Sequence, residues 1–127
     1  MKVKAAKSID EIYNTGRECL EFLDQKKGVL PLFIDLREVN TFLSFFIIVT
    51  GNSHIHCKAL ARDTIKFLYS KGFRESGKHD FGSEWIILDM GELIVHIFSE
   101  GARSYYNLER LWADAKIIDI KKGKENE

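Results

Sequence analysis

Proline is nearly missing from this chain, with one in 127 residues, at Pro31. Cysteine is scarce as well, and a disulfide framework would need more than the two present, Cys19 and Cys57. Both lie on apolar stripes and read as small buried hydrophobes of a reducing compartment. Neither sign of charge predominates: 19 Lys and Arg stand against 19 Asp and Glu, so the formal net charge is zero. That balance excludes a general polyanion binder, which needs an excess of phosphate-neutralising cations, while leaving room for a local patch. Long hydrophobic runs are also missing. The longest, Phe45 to Val49, is far too short to span a bilayer, which excludes a membrane partner. The first residues, MKVKAAKSIDEIYN, have no uninterrupted apolar stretch of the signal-peptide kind, so the expected compartment is the cytoplasm.

What is present is a chain 45% hydrophobic and long enough to bury one core. We expect a single domain over residues 1–120 and a frayed tail, KKGKENE, over residues 121–127. Ser8 followed by Glu11 is a capping-box pattern, and Ile9, Ile12, Tyr13, Gly16, Leu20 and Leu23 recur at helical spacing. Helix one therefore runs from about Ile9 to Lys27, closed by Gly28. Val29 to Leu36 reads as a strand with Pro31 near its beginning or on an edge. Phe45 to Thr50 is a strand apolar enough to be buried on both faces. Ser53 caps helix two, whose stripe is Cys57, Leu60, Ala61, Thr64, Ile65 and Leu68, and Gly72 ends it. Phe73 to Ser76 reads as a short strand and 77–83 as a loop. Glu84 to Asp89 and Glu92 to Ser99 form a hairpin around Met90-Gly91. Helix three places Tyr105, Leu108, Leu111, Trp112 and Ala115 on one face, and Ile117 to Ile120 is a weak further strand. The order α-β-β-α-β-β-β-α predicts an α+β fold, an α/β sandwich with a mixed sheet flanked by helices.

The residues suited to chemistry do not converge. His54 and His56 are two apart, and on a helix that spacing points them away from each other, so a shared metal is disfavoured against solvated or capping roles. His96 sits inside a strand and is expected to be satisfied by a neighbour in the sheet. The turn Thr50-Gly51-Asn52-Ser53 joins a strand to a helix, where an anion can bind, but it lacks both Gly-rich phosphate motifs. A nucleotidyltransferase would also need adjacent carboxylates for Mg²⁺, and Asp35 and Asp89 end separate strands. No GxSxG elbow exists. Lys26-Lys27 and the lysines of the tail read as solvated ends, with a weak signal for RNA.

The stretch from Glu84 to Trp112 is dense in large side chains instead. Trp85, beside Glu84, Asp89, Met90 and Glu92, fits either an interface anchor with an acidic rim or a core position. Trp112 falls on a helix stripe and is assigned to the core.

Three stretches, FIDLREV, FFIIVTGNSHIHCKALA and EWIILDMGELIVHIFSEGARSYYNLERLW, together resemble the ribosomal silencing factor family, RsfS, also called Iojap or YbeB. The resemblance covers nearly the whole chain. It implies a nucleotidyltransferase-like fold that performs no nucleotidyl transfer and needs no cofactor. It further implies binding to the large ribosomal subunit through ribosomal protein uL14, a minor contact with rRNA, and a block on subunit joining that represses translation under nutrient limitation or in stationary phase. A homodimer off the ribosome is implied as well. By the same resemblance Trp85, Leu88, Asp89 and Met90 form or border the contact, and Glu84, Glu92, Tyr105 and Tyr106 lie near it. Ser44, Arg62, Lys78-His79 and Glu92 depart from the residues common in the family. The alternatives are a nucleotide-binding protein using the 51–53 turn and a small RNA-binding module.

Overall fold

The computed structural model describes residues 7–118, so the expected tail at 121–127 and the end of the last expected strand lie outside the described residues. The elements are α1 (Ile9–Gln25), β1 (Val29–Asp35), β2 (Phe45–Thr50), α2 (His54–Ser70), β3 (Trp85–Asp89), β4 (Leu93–Phe98), α3 (Glu100–Tyr106), α4 (Leu108–Leu111) and β5 (Lys116–Ile118). The strands form one mixed sheet in the order β3-β4-β2-β1-β5. Only β2 and β4 run parallel, with Phe45 to Thr50 registered on Leu93 to Phe98, and α2 lies in the connection between them. Parallel neighbours need such a crossover, whereas the antiparallel pairs β1–β2 and β3–β4 are joined by a loop and a turn, and β5 returns from the end of the chain to pair with β1.

All six residues of β2 are buried. One face of the sheet packs against α1 and α2 through Phe33, Phe45, Ile47, Val49, Ile86, Leu88, Val95 and Ile97. The opposite face, called here the outer face, is covered by a smaller cluster built on Ile34, Phe46, Ile48 and Phe98 with Leu108, Leu43 and Trp112. The two clusters are the two sides of the same strands, as period-two alternation requires.

Local chemistry fixes the ends of the helices. Ser8 and Glu11 form a reciprocal capping box at the start of α1. At its end the Gly28 N–H donates to Leu23 O at 2.8 Å and the Lys27 N–H to Asp24 O at 3.0 Å, a Schellman closure. The helix stops at Gln25, two residues short of the expected Lys27, because Lys27 itself takes the left-handed conformation, with φ of 65°. Gly28 is required for space instead: a Cβ there would lie 2.6 Å from Val49 Cγ2.

Two further expectations are corrected. Phe73 to Ser76 is not a strand. The Phe73 N–H closes the end of α2 on Leu68 O, its ring enters the core, and the Ser76 N–H to Asp89 O bond at 2.8 Å stands without a ladder. Helix three is not continuous either. Asn107 adopts φ 47° and ψ 57°, which ends α3 and starts α4 in a new direction. Leu108 and Trp112 then pack inward while Tyr105 and Leu111 are exposed. The order among the described residues is therefore α-β-β-α-β-β-α-α-β.

Gly16 faces Phe33 so closely that an added Cβ would stand 2.3 Å from the ring. Gly16→Ala gains helix propensity of about 1 kcal/mol but forces α1 off the sheet, an overpacking loss of about 1–3 kcal/mol or more. We expect net destabilisation, read as a lower urea midpoint; a higher midpoint would show that α1 can ride over Phe33 freely.

Candidate interaction surface

The hairpin β3–β4 forms one border of the sheet, with β3 as the edge strand. Alternation sends Ile86 and Leu88 toward α2 and Trp85, Ile87 and Asp89 to the outer face. Gly91 takes φ of 91° in the turn closed by the Met90 N–H to Leu93 O bond, where hairpin turns need a positive φ. Met90 is thereby relieved of the strained position and points into the core.

This geometry corrects the contact expected of the Leu88 and Met90 side chains at the end of the hairpin. Leu88 is 0% exposed and Met90 is buried, both in the cluster beneath α1 and α2. Neither offers its side chain to a partner; they hold the strand from inside. Ile87, 40% exposed, was not singled out from the sequence, although its spacing of two from Trp85 was the available signal.

Trp85 resolves between its two readings as half-buried. Its ring lies 5.0 Å from Phe98 and 4.7 Å from Tyr106, centroid to centroid. Its Nε1–H donates to His96 Nδ1 at 3.0 Å, so His96 is satisfied by a neighbour in the sheet on that side. Because Nδ1 accepts, the imidazole proton sits on Nε2, which is buried without a partner among the described residues. Phe46 stands edge-on to His96 at 4.4 Å and to Trp112 at 6.2 Å. The outer face thus carries a continuous aromatic layer from Trp112 through Phe46, His96 and Trp85 to Tyr106. Tyr105, 82% exposed, packs edge-on against Tyr106.

Two devices fix the helix that presents the tyrosines. Ser99 caps α3 through the Ala102 N–H, and its hydroxyl donates to Glu84. Arg103 reaches under the helix, donating to Thr50 Oγ1 and Val29 O at 3.1 Å each and to Glu109 at 3.0 Å. The acidic groups mark the two ends of the hairpin. Glu84 is held by Ser99 at one end, while at the other Glu92 accepts from Ser44 at 2.9 Å and Asp89 accepts from the Gly91 N–H.

The groups that suggested catalysis are otherwise engaged. Gly51 packs so tightly on α2 that a Cβ would lie 2.5 Å from Cys57 Sγ, and its N–H donates to Phe98 O. His56 accepts from the Asn52 N–H and bonds Lys26 O through Nε2, so both ring nitrogens tie the turn to the end of α1. Asp35 pairs with Phe45 in register, Asp89 with Ile94, and since Phe45 and Ile94 belong to adjacent rows the two carboxylates point to opposite faces. The Arg37 guanidinium, bound bidentately, holds the Asp35 carboxyl below the usual range. Burial pushes the Cys19 thiol up to about 12 and raises that of Cys57, which leaves both as inert thiols.

A family profile described as ribosomal silencing factor during starvation matches residues 9–127. The chain belongs to the ribosomal silencing factor family. Family members named as ribosomal silencing factors include one from Bacillus subtilis, 33% identical over 76% of this chain and 83% of its own length. Another, from Haemophilus influenzae, is 37% identical over 74% and 93%. A crystal structure of a Chromobacterium violaceum protein superimposes with a TM-score of 0.73 at 30% identity, covering 84% of this chain and 88% of that one. The α+β architecture expected from the sequence, a mixed sheet with helices, is the one this chain adopts, and it superimposes on that solved structure. Among the described residues, no helix is long and apolar enough to cross a membrane.

Burial in the aromatic layer lowers the pKa of His96 from 6.5 to about 4. In that interval the unfolded chain binds a proton that the folded one does not, so stability rises with pH and is lost as pH falls from 6.5 to 4. The slope is at most about 1.4 kcal/mol per pH unit, roughly 3 kcal/mol across the interval. Denaturant titrations at several pH values should show this slope in the native protein and lose it in His96→Phe, whatever the variant's absolute stability.

Proposed function

We propose that this protein silences ribosomes by binding the large subunit through ribosomal protein uL14 and standing in the way of the small subunit. Translation is thereby repressed in the cytoplasm when nutrients are limiting or in stationary phase. The observation that carries the reading is the outer-face patch in a member of this family: Ile87, Tyr105 and Tyr106 exposed beside half-buried Trp85, with Glu84, Asp89 and Glu92 around them. An aromatic and aliphatic centre with a charged rim is the composition of a binding hot spot. The acidic rim suits a basic partner, for which electrostatics speeds encounter and sets orientation.

The mechanism is occupancy rather than turnover. A rigid surface competes for the face where the subunits meet, so no cofactor or metal takes part. The fold is nucleotidyltransferase-like in this reading, without the reaction. Support comes from the carboxylates pointing apart and from the glycine turn packed against Cys57. The exposed patch also suits a homodimer off the ribosome; if both contacts use Ile87 and Tyr105, dimer and complex exclude one another.

Trp85→Ala is a poor probe, because it also strips His96 of its partner. The double variant Ile87→Asp, Tyr105→Ala changes exposed side chains only. It should bind isolated large subunits tenfold to a hundredfold more weakly, a loss of about 1.4–3 kcal/mol, and fail to block reassociation in a sedimentation profile. Normal subunit joining at saturating native protein would sink the proposal.

A further inference from the structure

The charge that cancels over the whole chain is unevenly placed over its two long helices. In α2, Lys58, Arg62 and Lys66 follow one another at i+4, and the only acidic residue of the helix, Asp63, is paired at 3.7 Å with Lys26, which caps the end of the neighbouring α1. Phe67 lies on the α1 side with Asp63, its ring stacked on Phe22 at 4.7 Å. Arg62 is a third of a turn away from Asp63 and exposed, as is Lys66. None of the three cations takes part in an ion pair among the described residues. The stripe continues in the last turn of the helix with Tyr69, over whose exposed ring the Arg74 guanidinium lies at 4.8 Å.

Such a stripe is unfavourable within the isolated fold. Like charges at i+4 repel along a helix. No acidic residue in the first turn of α2 offsets the helix dipole, in contrast to α1, which has Asp10 and Glu11 there. A repulsion that no ion pair among the described residues relieves leaves the stripe free to take an anionic partner. The spacing of the cations, about 6 Å per step along the axis, is that of successive phosphates on a nucleic-acid strand, and the exposed aromatic at the end can take a base or sugar face.

We infer that α2 is an RNA-backbone contact: Lys58, Arg62 and Lys66, extended by Tyr69 and Arg74, meet the phosphates of ribosomal RNA beside the site taken by the outer face. This rests on the proposed ribosome binding and adds a second surface. α2 packs across β3 and β4 on the opposite side of the sheet from Ile87, so the two surfaces lie on either side of the edge strand β3. Protein contact on one side and phosphate contact on the other would orient the factor on the subunit with a single pose.

The test uses the full chain, isolated large subunits and a salt series. In Lys58→Ala, Arg62→Ala, Lys66→Ala, affinity at low salt should fall at least tenfold. The slope of log K against log salt should shrink by about 2 to 3, given roughly 0.7–0.9 per phosphate. Ultraviolet crosslinks from α2 of the native protein should fall on RNA. The variant should melt at or above the native temperature, since alanine favours helix and the repulsion is gone. If native protein does not bind the subunit, the proposed function fails. If native protein binds and the triple variant keeps both affinity and slope, ribosome binding stands and the RNA contact is wrong. Crosslinks from α2 to a ribosomal protein alone would also overturn it.

Discussion

Everything in this fold follows from β2 being apolar on both faces. A strand of Phe45, Phe46, Ile47, Ile48, Val49 and Thr50 cannot leave either side in water, so the sheet must be covered twice. The first cover is substantial: two 17-residue helices lay their stripes on the face that carries Phe45, Ile47 and Val49, α1 over β1 and β2 and α2 over β3 and β4, with Gly16 and Gly28 letting backbone approach side chain closely. The second cover is thin. Residues 99–115 and Leu43 shield Phe46 and Ile48 but stop short of the β3 edge, where Ile87 is left partly in solvent. The exposed patch is therefore the unfinished half of a two-sided core, and its position is set by how far the short helices reach.

That thin cover is held by polar bonds as well as by packing. Arg103 ties α3 to the ends of β1 and β2, Asn107 turns the chain so that Leu108 and Trp112 come back to the sheet, and the Trp85–His96 bond fixes the aromatic layer. A surface built in this way is stiff before it meets a partner, which reduces the ordering entropy lost on association.

The sequence carried most of the frame and little of the surface. Period-two alternation and helical stripes were visible in β2, α1 and α2, because there the burial pattern is periodic and the caps Ser8 and Ser53 are local signals. The break at Asn107 was hidden because Leu108, Leu111 and Trp112 keep helical spacing across it; only the backbone angle reveals the turn. The end of the hairpin departs from expectation for the opposite reason. Motif resemblance marked Leu88 and Met90 as a block, whereas alternation puts Leu88 on the core side and the Gly91 turn carries Met90 inward. Side-chain identity gave no sign that both nitrogens of His56 would be spent on backbone, since its partners lie at Asn52 and at Lys26, the C-cap of another helix.

Strand order has a consequence for how the chain assembles. β1 comes first and ends up inside the sheet, paired with β2 on one side and, through Phe33 and Ile118, with the last described strand on the other. The parallel flank of β2 likewise waits for β4. A nascent chain that has emerged only as far as α2 holds an oily hairpin with an open flank on each side. Such long-range closure is slow and exposes strand edges while it is pending. The single proline at the start of β1, where Leu30 takes a left-handed φ of 49° and the register slips, bends the strand at one of those edges and blunts it against pairing with another unfinished copy.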